Sequence, residues 1–267
     1  MKRIFQIFGL MLAALFVLTG IKAEAAPDWN NRVVKATGIG VINPNARTHA
    51  QGIAMARRAA ITDAQRNLLE TLQGVQVTSE VTVRDYITES DIIQTRVEGV
   101  LKGAEIIGER EISGGIEITM QVPMFGASSL AEAVMERPAE VVPFPAPTAE
   151  VPAPPTSYSG GYTGLVIDCR GLGLNPVMSP VIKNSAGTKI YGHINLDYDL
   201  VIRDGMVNYA PDMSGAARAG SNPLVIRAER LEDHNANPVI SVNDSNMVLS
   251  ANETGGFLGR MAVVFLY

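Results

Sequence analysis

The hydrophobic pattern of the chain changes period several times, and each change predicts a new element. The β-branched stretch RVVKATGIGVI, residues 32–42, predicts a strand. A turn at 43–45 follows, and Asn45 is the expected cap of the next helix. Over residues 46–73 apolar side chains then recur at three- and four-residue steps, which predicts one long helix.

Alternation with a period of two follows the helix and predicts strands. Gly74 is expected to end the helix in the left-handed conformation, and valines then alternate with polar residues over 75–83. Further strands are predicted around 97–111 and 116–122, joined by a hairpin turn at 113–115. The order strand, long helix, three antiparallel strands predicts an α+β domain with the helix across one face of the sheet.

A proline-rich stretch separates this domain, residues 27–137, from a second one. Seven of the 15 prolines lie in it, so residues 138–161 are predicted to form a semi-rigid linker. In residues 162–267 strand patterns alternate with short helical ones, which predicts a small α/β or α+β domain. We expect a hairpin over 180–192, a strand over 222–232, a helix over 243–253 and a terminal core strand, MAVVFLY.

The N-terminus differs from the rest of the chain. Lys2 and Arg3 precede an apolar run, and a small-x-small motif then ends at Ala25. This pattern is typical of a secretory signal peptide over residues 1–25, cleaved after Ala25 or Ala26; an uncleaved membrane anchor is the alternative. No later segment approaches membrane-spanning length. We therefore expect a protein that is periplasmic or associated with the outer envelope, with no transmembrane span in the mature chain.

Composition and charge narrow the class of partner. The chain is 46% hydrophobic and 18% charged, which fits a folded protein. Without residues 1–25 it keeps 19 Lys and Arg against 26 Asp and Glu, a net charge of −7. This balance argues against nucleic acid or an anionic membrane surface as the main partner. Cys169 is the single cysteine, so intramolecular disulfides are excluded, and its apolar flanks predict a buried thiol.

Patterns that would indicate catalysis or metal binding are weak. The three histidines lie far apart, and none has a second ligand at a metal-binding spacing. The Gly-Leu-Gly stretch at 171–173 lacks the third glycine and the helix of a dinucleotide loop. Asp197 and Asp199 would point to different sides of a helix, and Asp244 with Asn246 does not match the calcium-loop template. We therefore expect no cofactor, no metal site and no enzymatic activity.

Two adjacent arginines in the long helix have different predicted roles. At 100° per residue Arg58 lies opposite the apolar stripe, whereas Arg57 projects between Ile53 and Ala60, inside it. A guanidinium there must reach the edge of the sheet or find a carboxylate. Two interpretations of Arg57 remain open: an anion site at a subunit contact, or an intramolecular pair with an acidic residue of the sheet. The intramolecular pair is favoured.

Two stretches carry a family resemblance: ARRAAITDAQRNLLETLQGVQVTSEVTV and TRVEGVLKGAEIIGEREISGGIEITMQVPM. The alanine-rich helix with Asp63, the stop at Gly74 and the GVLKG passage resemble the Lpp-twenty lipoprotein family of bacterial outer-envelope proteins, over about residues 30–125. The pattern is also similar to a flagellar ring lipoprotein and to the N-terminal domain of a flagellar assembly protein. LTGI at 18–21 has Ile21 where the lipidated cysteine of the family stands, so no lipid anchor is expected.

The resemblance implies a non-enzymatic envelope module that associates with copies of itself or with other envelope or flagellar proteins. We expect the first domain to self-associate through strand edges, for which 32–42 and 75–83 are the candidates. Gly38→Pro is then expected to disable the first edge without disturbing the helix. The alternative function is a periplasmic binding module for a small ligand.

Overall fold

The computed structural model describes residues 26–148 and 161–267, and it confirms the α+β class. We call residues 26–137 the first unit and residues 161–267 the second unit. The first unit contains, in chain order, β1 (Pro27–Asp28), β2 (Val33–Val41), α1 (His49–Gln73), α2 (Val83–Glu89), α3 (Asp91–Lys102), β3 (Glu105–Ile112), β4 (Gly115–Pro123) and α4 (Leu130–Val134).

The first unit is an antiparallel sheet with α1 across one face. Its strand order is β1-β2-β4-β3, and β2 pairs with β4 along its whole length, from Val33 opposite Pro123 to Val41 opposite Gly115. The buried face of α1 follows the predicted steps, and Leu68 is fully buried on it. Arg58 is exposed, as predicted.

Helix α1 lies unusually close to the sheet, because both surfaces carry small residues where they meet. Gly38 and Gly40 of β2 face Ala60 and Ala56 of the helix. A Cβ atom added to Gly40 would lie 1.8 Å from the Ala56 carbonyl oxygen, and one added to Gly38 would lie 2.0 Å from the Ala64 nitrogen. Only glycine permits this approach of strand and helix backbones.

The predicted caps of α1 are wrong at both ends. The helix begins after Thr48, whose hydroxyl accepts a hydrogen bond from Gln51 N–H at 3.1 Å. Asn45 instead belongs to the preceding turn, where its N–H donates to Asn43 Oδ1. Gly74 has φ −83° and ψ −7°, so it is right-handed, because its N–H continues the last turn by donating to Thr71 O.

Only two of the three strands predicted after α1 are present. Residues 75–82 form a tight turn with an isolated bridge between Gln76 and Thr82, and Val83 already belongs to α2. Thr82 then caps α2 in a reciprocal arrangement with Asp85, which ends the extended backbone. Of the strand predicted over 97–111, residues 97–102 belong to helix α3, and β3 begins only at Glu105.

The second unit contains two four-stranded sheets. Strands β8-β12-β5-β9 form a parallel sheet in that order, and β10-β11-β6-β7 form a mixed one. Its elements are β5 (Gly164–Asp168), β6 (Ile182–Asn184), β7 (Lys189–Tyr191), α5 (Tyr198–Asp204), β8 (Asn208–Ala210), β9 (Pro223–Arg227), β10 (Arg230–Glu232), β11 (Asn237–Ile240), α6 (Val242–Gly255) and β12 (Val263–Leu266), with short 3₁₀ turns at His193–Asn195, Met213–Gly215 and Ala217–Ala219.

The structure confirms the predicted hairpin, helix and terminal core strand of the second unit as β6–β7, α6 and β12. The single strand predicted over 222–232 is wrong, because it is two strands in different sheets. Ala228 N–H still donates to Asp168 O of β5, whereas Glu229 N–H donates to Val239 O of β11. The chain thus changes sheets between Ala228 and Glu229.

The two units share one continuous hydrophobic core. Met178 N–H donates to Gln76 O at 3.0 Å, and Ser179 N–H donates to Val77 O at 2.8 Å, so backbone hydrogen bonds cross the junction. Residues 138–148 of the predicted linker lie against the second unit, and the rest of the linker up to 160 lies outside the described residues. None of the helices in 26–148 and 161–267 has the length and apolar character that a membrane span requires.

Truncation of the buried helix face tests this packing. Leu68→Ala is expected to lower the free energy of unfolding by about 2–5 kcal/mol, because it leaves a cavity under α1. Arg58→Ala on the opposite face is expected to change it by no more than about 0.5 kcal/mol. Urea titration of both variants measures the difference, and equal effects would mean that the buried face is wrongly assigned.

Candidate functional site

Strand β3 is an open edge of the first sheet. Its inner side pairs with β4, and no strand lies on its outer side within the described parts of the chain. No residue of β3 is buried, and Ile106 and Ile107 are 38% and 44% exposed. A bulge interrupts the register between Ile106 and Gly108. Such an edge carries unpaired backbone donors and acceptors that a further strand can use.

Two charged side chains of β3 form ion pairs with residues of neighbouring elements. Arg110 donates through Nη2 to Glu117 Oε2 of β4 at 3.0 Å, and this hydrogen bond lowers the pKa of Glu117. Arg57 Nε lies 3.0 Å from Glu109 Oε2, so an ion pair joins α1 to the edge strand. The Arg57 side chain is 44% exposed, which places the guanidinium at the margin of the apolar stripe and not inside it.

Both edges predicted from the sequence are wrong. Residues 75–83 form no strand ladder, and β2 is an inner strand whose free side is closed by α1. Asp63 Oδ2 accepts a hydrogen bond from Ile39 N–H at 3.0 Å, and Asn67 Nδ2 donates to Thr37 O at 2.7 Å. Gly38→Pro would also disturb the helix, since no side chain fits between β2 and α1.

The second unit has an open edge of its own at β9. Within the ranges that the structure describes, this strand ends the parallel sheet, and Val225 is 51% exposed. Ala228 N–H faces β5, so the amide of Val225, three residues earlier, points outward. Arg227 at the end of β9 lies 3.2 Å from Asp168, which also binds Arg170. These hydrogen bonds, chiefly the one from Arg170, lower the pKa of Asp168 to about 2.

A cleft at the junction of the units is one of several concave features in the described parts of the chain. It lies between the turn at 78–80, the proline-rich residues 142–145 and the second unit at 192–195, and we call it the interunit cleft. Its main cavity has a volume of about 490 Å³. Binding sites for small ligands commonly lie at such junctions.

His193 borders this cleft but supplies no cation. Burial lowers the pKa of its imidazole, and Nε2 is buried without a hydrogen-bond partner among the described residues. The three histidines remain apart, and no cluster of His, Cys, Asp or Glu in the described ranges could hold a metal ion. Cys169 is buried as predicted, and burial raises the pKa of its thiol to about 12.

The remaining candidate positions carry structural roles or lie outside the described residues. Gly171 and Gly173 have positive φ angles and no helix follows them, unlike a dinucleotide loop. Asp197 caps α5 by accepting from Leu200 N–H. Ala25 lies outside the described residues, and Ala26 is exposed.

These features define an α+β protein of two packed units with an open sheet edge on each unit and a cleft between them. A family model described as the second domain of Treponema pallidum Tp0624 matches residues 164–267, from the first residue of β5 through β12. The second unit is therefore similar to a domain found in another multidomain chain. No curated protein matches the chain.

Proposed function

We propose that the protein is an exported, non-enzymatic assembly protein of the bacterial cell envelope that associates with copies of itself. The observation that carries this proposal is the open edge of β3, which is exposed on both faces and eight residues long. The pattern of the N-terminal residues supports export, and the Lpp-twenty resemblance supports an envelope role. Edge strands of this length are normally covered or shortened in proteins that stay monomeric.

Charge argues against pairing of β3 with its own copy. In an antiparallel pair about a two-fold axis, the central residue lies opposite itself. A pairing centred on Glu109 or Glu111 therefore opposes two carboxylates, and one centred on Arg110 opposes two guanidiniums. Like charges directly opposite each other destabilise a strand pair.

The β9 edge of a second copy fits β3 better. Strand β3 carries three glutamates and one arginine, whereas Arg227 is the single charged residue of β9. The two edges thus have opposite net charge, and both present exposed apolar side chains, at Ile107 and Val225. A contact between two different surfaces of the same chain repeats from copy to copy, so it builds a ring or a filament.

Proline substitutions at the two edges test this arrangement. In the two-residue hairpin after β3, Ile112 and Gly115 form the closing hydrogen-bonded pair, so the amide of Glu111 points outward. Glu111→Pro and Val225→Pro each remove one outward donor without removing a hydrogen bond of the internal ladder. We expect the wild-type full chain to associate as its concentration rises in sedimentation velocity, and each proline variant alone to remain monomeric.

A mixture of the two variants gives the decisive result. Each variant retains one intact edge, so an equimolar mixture is expected to form dimers and nothing larger. Glu111→Ala and Val225→Ala are the matched controls, because they keep the outward amides and should still associate. A wild-type chain that stays monomeric at its solubility limit would refute the proposal, and association of Val225→Pro alone would refute the pairing of β3 with β9.

The proposal includes a location in the periplasm or at the outer envelope. The resemblance to flagellar ring and assembly proteins makes components of the flagellar motor the first envelope partners to seek. Fractionation of cells that express a tagged full-length chain, followed by identification of co-purifying proteins, tests this part. Recovery in the cytoplasmic fraction would contradict it.

A further inference from the structure

The interunit cleft is a built cavity whose walls come from three distant parts of the chain. Val142 N–H donates to Ile194 O at 2.7 Å, and Asn195 Nδ2 donates back to Val142 O at 3.0 Å. Phe144 stacks in parallel on the buried Tyr191, with ring centroids 6.3 Å apart. The proline-rich wall is therefore fixed to the second unit by hydrogen bonds and by aromatic packing.

The side chains around the cavity combine an apolar wall with a single cation. The apolar part of the lining consists of Val142, Pro143 and Pro145 from the proline-rich wall, together with Val181 and Ile194. Among the described residues Lys189 is the one charged residue that lines the main cavity, whereas Glu80, Lys183 and Asp233 border the adjoining part of the cleft. The main cavity thus holds a cation in a protein whose overall charge is negative.

The Lys189 ammonium is available to a ligand, unlike that of its neighbour Lys183. Lys183 Nζ lies 2.6 Å from Asp233 and 3.3 Å from Glu232, so two carboxylates neutralise it. Within the described residues Lys189 Nζ makes no hydrogen bond and has no carboxylate within 4.0 Å. It reaches Asp233 only through a longer-range attraction, which adds to the effect of Lys183 in lowering the pKa of that carboxyl. The hydroxyls of Ser79 and Ser179, which also border the cavity, have no hydrogen-bond partner there either.

We propose that the interunit cleft binds a small organic anion with an apolar body. The anionic group lies at Lys189, with the two serine hydroxyls as further donors, and the apolar body lies against the proline-rich wall and Ile194. An ammonium that bonds an anion beside low-dielectric walls contributes more than one in open water. This inference goes beyond the assembly function and does not depend on it, because no residue of β3 or β9 lines the cleft.

The anionic dye 8-anilinonaphthalene-1-sulfonate and octanoate are suitable probes for the full-length chain. We expect the dye to gain fluorescence on binding, and octanoate to displace it. Lys189→Gln is expected to weaken both ligands about tenfold. Lys102 is an exposed residue of α3 outside the cleft, so Lys102→Gln is the matched control. This variant should bind the dye and octanoate as the wild type does.

A cavity-filling variant locates the binding. Gly192 lines the cavity with extended backbone, φ −175°, and a Cβ atom there would meet Val181 at an ordinary 3.6 Å. Gly192→Phe is therefore expected to keep the fold, as checked by thermal unfolding, and to abolish binding. Unchanged affinity in Lys189→Gln, unchanged binding in Gly192→Phe, or displacement of the dye by octanol as readily as by octanoate would overturn the proposal.

Discussion

Gly40→Ala is expected to lower the free energy of unfolding by about 3 kcal/mol or more. The new Cβ atom would lie 1.8 Å from the Ala56 carbonyl oxygen and 2.7 Å from its carbonyl carbon. These are backbone atoms of a 25-residue helix, so no side-chain rotation relieves the clash. The helix must move away from β2, which exposes the packed alanine face of α1. Urea unfolding of the full chain measures the loss.

Gly99→Ala is the matched control for the same chemical change. Gly99 lies inside α3, and a Cβ atom there would meet nothing within 4 Å. Alanine is a better helix former than glycine, so this variant is expected to gain about 0.5–1 kcal/mol. If Gly40→Ala unfolds at the same urea concentration as the wild type, the close approach of helix and strand is wrong.

The sequence contained the pattern for this contact, although its importance became clear only in the structure. Gly38 and Gly40 share one face of β2, and the alanines at 56, 60 and 64 share one face of α1. The period of each element could therefore be predicted, and with it the buried position of Leu68. The prediction that Gly38→Pro would spare the helix failed, because spacing along one element does not show how near the next one lies.

Local alternation misled the prediction where long-range contacts decide the backbone. Val75 and Val77 are buried, as a strand would place them, but they lie in a turn whose backbone bonds to the second unit, and Val83 is the first residue of α2. The Thr82 and Asp85 capping pair was the local sign of a helix start in that region. In the next segment Ile93, Val97 and Val100 follow a helical step, which outweighed the β-branched composition.

The functional features were less predictable than the elements that carry them. Strand β3 is open because β4 lies between it and β2, and strand order depends on pairings across about 80 residues. The cleft brings together residues 79, 142 and 189, which no sequence spacing relates. In contrast, the burial of Cys169 and the core position of the last strand followed from their apolar neighbours alone.

Arg218 has a structural role that its place in a small-residue loop did not indicate. Its Nε donates to Met261 O at 2.6 Å, and its Nη1 donates to Asp204 O at 2.8 Å and to Asn208 Oδ1 at 3.0 Å. Nη2 donates to Gly205 O. No carboxylate lies within 4.0 Å of it in the described residues, and burial lowers the pKa of the guanidinium. The Arg218 guanidinium thus connects the end of α5, the start of β8 and the turn before β12 by hydrogen bonds.

The Asp204 carbonyl that Arg218 binds also bonds to an arginine of the first unit. Arg32 Nη1 donates to the same Asp204 carbonyl at 2.7 Å, so the end of α5 receives two guanidinium groups from different units. A carbonyl at a helix C-terminus carries partial negative charge, which favours a cation there. The arrangement explains how a half-buried arginine is tolerated without an acidic partner, since backbone carbonyl oxygens and the Asn208 amide oxygen satisfy its donors.

Arg218→Met is therefore expected to lower the free energy of unfolding by about 2–4 kcal/mol, because it leaves several buried acceptors without donors while keeping most of the aliphatic volume. Arg218→Lys should fall between Met and the wild type, since an ammonium restores the charge but not the planar fork that reaches all four acceptors. Arg203→Met is the control, because that side chain is 66% exposed and bonds only to Asp204, its neighbour in the chain. Urea titrations of the three variants and the wild type measure the order of their free energies of unfolding. If Arg218→Met proves as stable as the wild type, the hydrogen bonds of Arg218 to these oxygens contribute nothing to folding, and the second unit is held by its apolar core alone.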